Sequence, residues 1–116
     1  MKRRRAIVRD TDRSRNLEIR VEDSVSVDEM EVTLISVAET MGLAISKITR
    51  LGAVRYPGNR HWHLKRSPTE RGCLDVTYWP DGPSMWVTMR NSEPDWVHDL
   101  GRGLAAAVQD RLQHSC

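Results

Sequence analysis

The sequence has no phenylalanine, only two cysteines, and no apolar run approaching the ~18 residues that a membrane span needs. Each absence excludes something. Cys73 and Cys116 are too few and too far apart for a disulfide framework or a thiolate zinc site, so a reduced, cytoplasmic setting is expected. The opening Met1-Lys2-Arg3-Arg4-Arg5 has the charge of a signal-peptide n-region, but Ala6-Ile7-Val8 gives way to Arg9-Asp10 and no h-region follows. There is no Walker loop, no Gly-x-Ser-x-Gly and no His-Glu-x-x-His. Gly101-Arg102-Gly103 follows no predicted strand and lacks the third glycine of a dinucleotide fingerprint. Neither a membrane contact nor a cofactor is expected.

What is present is a chain of one-domain length, 116 residues with 39% hydrophobic and 29% charged side chains. That is enough to bury a core without staples. The net charge of +2 conceals segregation. Residues 1–20 carry +5, 21–44 carry −6 with no basic residue at all, 45–72 carry +6, and 73–116 carry −3.

The acidic second block is predicted to be a helix. Ser26 and Glu29 have capping-box spacing, Val25 and Met30 sit at staple positions, and Val27, Met30, Leu34, Val37, Ala38 and Met41 recur on one face. Gly42 is its stop, because continuing the helix through a glycine would cost roughly 1 kcal/mol against alanine. The β-branched Ile45, Ile48 and Thr49 then suit a strand. After the loop at Pro57-Gly58-Asn59, three strands are expected at 61–66, 73–79 and 84–90, the last two joined across Asp81-Gly82. A second helix is expected with Ser92 as cap, Pro94 in its first turn and Asp95 at the capping-box position. Its stripe is Trp96, Leu100, Leu104, Val108 and Leu112, with Gly101 and Gly103 marking a kink or a close approach. Ala6–Arg9 and Leu17–Val21 are candidate strands with a hairpin turn across residues 12–16.

The expected architecture is therefore α+β, a two-layer sandwich in which an antiparallel meander of three to five strands carries two helices on one face. Residues 1–23 form a basic arm that joins the sheet as a hairpin, and 24–116 form the domain. The α-β-β-β-α order resembles, in outline, the double-stranded-RNA-binding domain. However, Glu93-Pro94-Asp95 stands where that domain carries a lysine-rich phosphate clamp, so its function is not carried over.

Alternation splits each strand by face. Trp62 and Leu64, then Leu74, Val76 and Tyr78, then Met85, Val87 and Met89 belong under the helices. The opposite face receives His61, His63 and Lys65, then Asp75, Thr77 and Trp79, then Trp86, Thr88 and Arg90, and hairpin arithmetic sets Thr77 opposite Trp86. An indole pair on a face without helices points to a contact surface.

Three functions follow from that face. The first is a small non-enzymatic interaction domain that meets a protein partner or a second copy of itself through Trp79, Trp86, His61, His63, Lys65 and Arg90. The second is nucleic-acid binding, with the indoles stacking bases and Lys2, Arg3, Arg4, Arg5, Arg60 and Arg66 meeting phosphates. It ranks lower because dedicated binders are more basic. The third is a metal site at His61 and His63, with Asp75 as third ligand if it lies opposite His63 and none if it pairs with Lys65. Cys73 has histidines on a neighbouring strand, but nothing in the sequence fixes a Cys–His contact or an oxyanion hole, so a structural thiol is expected.

Overall fold

The computed structural model of the protein describes residues 14–114. Its elements are β1 (Ser14–Ile19), α1 (Val27–Thr40), β2 (Ala44–Thr49), β3 (Arg60–Lys65), β4 (Leu74–Trp79), β5 (Ser84–Arg90) and α2 (Asp95–Gln113). The five strands form one antiparallel sheet in the order β1-β5-β4-β3-β2. Strands β2 to β5 are the expected meander. The chain reaches it from β1, on the opposite edge, by running α1 across one face. This is the α+β sandwich, with both helices on the face expected to be apolar. Lys2, Arg3, Arg4, Arg5, Ala6–Arg9 and Cys116 lie outside the described residues.

Local chemistry sets the helix ends. Ser26 and Glu29 form the reciprocal capping box. Gly42, at φ +74°, lets the chain leave α1 in a Schellman turn, with Gly42 N–H donating to Glu39 and Leu43 N–H to Ala38. The expected cap of α2 is corrected. Ser92 lies in a turn closed by Glu93 N–H donating to Arg90 at 3.1 Å, and Pro94 occupies the N-cap with no side-chain hydrogen bond. The turn needed to leave β5 takes the residues that the capping box would have used. The arm also differs from expectation, because Asn16 pairs with Thr88 in mid-strand rather than turning.

The core is the predicted sheet face. Trp62, Leu64, Leu74, Val76, Tyr78, Met85, Val87 and Met89 are all buried beneath Met30, Leu34, Val37 and Ala38 of α1 and Trp96, Val97, Leu104 and Val108 of α2. Polar atoms in this core are matched. Trp62 Nε1–H donates to Glu31 at 2.7 Å, and Arg60 bridges Asp28 at 2.9 Å and Glu31 at 3.2 Å, so α1 is clamped to β3. The Tyr78 hydroxyl donates to Val25 C=O and accepts from Val25 N–H, holding the segment that enters α1. Gln109 binds both backbone groups of Arg20, standing in for a strand at the end of β1.

The two helix glycines have different reasons. A methyl on Gly101 would lie 2.4 Å from Met89 Sδ and 3.1 Å from Leu74 Cδ1, so α2 crosses the sheet closely there. Gly103 is exposed, and a methyl on it would meet only the end of the Met41 side chain at 3.1 Å. Gly101→Ala should therefore destabilise by roughly 0.5–2 kcal/mol, because overpacking exceeds the gain in helix propensity. Gly103→Ala should stabilise by up to about 1 kcal/mol. Urea unfolding of the two variants should show opposite signs; equal signs would refute the packing argument.

Candidate functional site

No helix among the described residues covers the second face of the sheet, and the expected residues lie on it. The pairings are His61 with Thr77, His63 with Asp75, Thr77 with Trp86 and Asp75 with Thr88. Thr77 thus lies opposite Trp86, and Asp75 lies opposite His63 rather than Lys65. The face divides into an aromatic half and a polar half.

The aromatic half is covered in part by a loop that the strand pattern did not reveal. Between β2 and β3, Asn59 is buried and its amide closes the loop, accepting from Leu51 N–H at 2.9 Å and donating to the carbonyls of Leu51 and Tyr56. Gly58 turns the chain at φ +81°. The loop lays Tyr56 against both indoles, with ring centroids 5.3 Å from Trp79 and 5.5 Å from Trp86. Trp79 Nε1–H donates to Pro57 C=O at 3.1 Å. Both indoles are half-buried as a result. Arg55 stacks over Tyr56 at 5.4 Å, Arg90 and Lys47 are exposed, and Lys65 is partly exposed on the same face.

The polar half is a compact cluster. His63 Nδ1 lies 2.9 Å from Asp75 Oδ1, His61 Nε2 lies 3.7 Å from Asp75 Oδ2, and the two imidazoles meet edge to face at 4.7 Å between centroids. His61 Nδ1 is 2.6 Å from Oγ1 of Thr77, which is fully buried, and His63 Nε2 lies 3.5 Å from Thr49 Oγ1. Cys73, just before β4, donates to Asp75 Oδ1 at 3.3 Å and has its sulfur 3.6 Å from His63 Nδ1. Burial pushes the Asp75 carboxyl up. The closeness of His61, the hydrogen bond from Cys73 and the charges of the two imidazoles more than offset this, so it sits below the usual carboxylate range.

This geometry does not activate a nucleophile. Cys73 and Asp75 both address Nδ1 of His63, whereas a relay needs the thiol and the carboxylate on opposite ring nitrogens. Burial, followed by the charge and hydrogen bond of Asp75, pushes the Cys73 thiol up to about 12. Two of the basic residues read as phosphate contacts are engaged elsewhere. Arg60 is held by Asp28 and Glu31 of α1, and Arg66 pairs with Glu70 while stacking on Trp96 at 4.9 Å. His98 and His114 lie on or just after α2, away from the cluster. No helix among the described residues is long and apolar enough to cross a membrane.

No protein-family model, curated protein or solved structure matches the chain. The elevated thiol gives a direct prediction. At pH 8, in a Cys116→Ser background, native Cys73 should react with iodoacetamide roughly a thousandfold more slowly than an unperturbed thiol, because each pKa unit removes about tenfold of the thiolate. The rate should recover in denaturant. Rapid native alkylation would show that the thiol is not held as described.

Proposed function

We propose that the chain is a non-enzymatic binding domain whose open sheet face holds a protein partner with an acidic surface. The observation that carries this is the Tyr56–Trp79–Trp86 cluster, half-buried on the face that the described helices leave open, with Arg55 over Tyr56, Lys47, Lys65 and Arg90 toward the polar end of the same face, and Glu18 opposite Trp86 as the acidic exception. Interface centres favour aromatic and arginine side chains that bring large area at small entropic cost, and flanking charge steers the encounter.

Two rival occupants fit less well. Base stacking needs free ring faces, and Tyr56 already lies against both indoles. Face-to-face docking of a second copy would bring together two surfaces that each carry Lys47, Lys65 and Arg90, an excess of like charge with a real cost. A cytoplasmic setting accords with the free thiol of Cys73.

A displayed library of random peptides, selected on the full-length chain, tests the proposal. Selected peptides should be rich in Asp and Glu around an apolar anchor. Trp86→Ala should weaken them by about thirtyfold or more, the size of a hot-spot loss. The surface double variant Lys65→Glu/Arg90→Glu should weaken them comparably without touching the core, and Arg102→Ala on the helix layer should not. Peptides indifferent to the sheet-face variants, or displaced by a single-stranded oligonucleotide at equal concentration, would overturn the reading.

A further inference from the structure

We propose that His61, His63 and Asp75 form a binding site for a divalent transition-metal ion, with zinc the best match. The three residues come from two adjacent central strands, and the β3–β4 register brings them to one side of the sheet. One ligand atom from each lies within 4.8 Å of the others. Rigid strands hold such a constellation more tightly than loops do.

The distances discriminate between a proton and a metal. His63 Nδ1 at 2.9 Å from Asp75 Oδ1 is an ordinary hydrogen bond. His61 Nε2 at 3.7 Å from Asp75 Oδ2 is not, since it lies beyond hydrogen-bond range. Two ligands each about 2.0–2.2 Å from a tetrahedral zinc are separated by roughly 3.3–3.6 Å, so the longer gap is close to the span of a bridging ion. The outer nitrogens point the same way. Thr77 takes His61 Nδ1 at 2.6 Å, which in the Nδ1–H tautomer leaves Nε2 bare and facing a carboxylate oxygen. A ligating histidine is normally fixed through its far nitrogen in this manner. Thr49 lies 3.5 Å from the far nitrogen of His63.

The donor set selects the ion class. Two imidazoles and one carboxylate suit zinc and its neighbours, whereas calcium and magnesium favour all-oxygen shells. Three protein ligands leave a further position open toward solvent, since the His63 and Asp75 side chains are 26% and 21% exposed. Cys73 Sγ lies 3.3 Å from Asp75 and 3.6 Å from His63. The site uses the polar half of the face and does not rest on the partner proposed above.

The test uses tag-free, full-length protein treated with chelator. Titration with zinc alone, followed by calorimetry, should give a stoichiometric complex, and cobalt(II) should give the ligand-field bands of a low-coordinate site. Proton NMR of the unmodified protein should show the ring signals of His61 and His63 moving with zinc while those of His98 and His114 stay. His63→Ala and Asp75→Asn should weaken binding by at least about tenfold. Arg102→Ala on the helix layer should leave it unchanged. Absence of stoichiometric binding, equal movement of all four histidines, or undiminished affinity in a His61→Ala/His63→Ala double variant would overturn the proposal. The NMR measurement does not depend on any variant folding.

Discussion

The pairing of β3 with β4 sets Trp62 against Val76 on one side of the sheet and His63 against Asp75 on the other. Because side chains alternate strictly, these two facts are one constraint. A slip of one residue would send Trp62 and Leu64 to the side without helices and bury His61, His63 and Lys65 beneath α1 and α2. Bringing ionisable groups into that core would cost several kcal/mol. The hydrophobic demand of one face therefore holds the polar cluster of the other face in place. The clamp of Trp62 and Arg60 on Glu31 fixes the same strand from the helix side.

The helices cover only one side, so the second face must be stabilised by other means. The sheet uses two. At the aromatic end, the β2–β3 loop folds back and covers the indoles with Tyr56, its shape set by the buried amide of Asn59. At the polar end, the side chains satisfy one another, with Asp75 accepting from His63 and Cys73 and His61 meeting Thr77. Neither device closes the face completely. The charge blocks along the chain become spatial, because α1 and the segment before it hold most of the acidic block, while Lys47, Arg55, Lys65 and Arg90 flank the open face.

Features settled by neighbours in sequence were legible, and features settled by distant packing were not. Ser26, Glu29 and Gly42 act within one helical turn, so the limits of α1 followed from spacing alone. The eight core residues of β3, β4 and β5 followed from alternation, and the Thr77–Trp86 pairing from the short turn at Asp81-Gly82. The partner of Asp75 could not be fixed in this way, because the segment from Arg66 to Cys73 is too long to set a register. The cap of α2 differs from the sequence pattern because Ser92 satisfies two local patterns at once, and the turn leaving β5 takes precedence. Tyr56 carried no signal, since a loop residue has no period to betray which surface it meets. The position of β1 beside β5 depends on α1 crossing the whole sheet, a long-range choice that no local spacing records.

The two halves of the open face are physically separable, and Thr77 shows why. It lies opposite His61 on one side and Trp86 on the other, is fully inaccessible, and uses its hydroxyl toward the imidazole. Along β4 the face runs Asp75, Thr77, Trp79, so the carboxylate and the indole are about 13 Å apart at the usual strand rise. The side chain between them is buried, rigid and already satisfied, so it forms a seam rather than a third binding element. No exposed side chain on β4 connects the two, so side-chain coupling between the ends runs through β5, where Thr88 lies opposite Asp75 and Trp86 opposite Thr77.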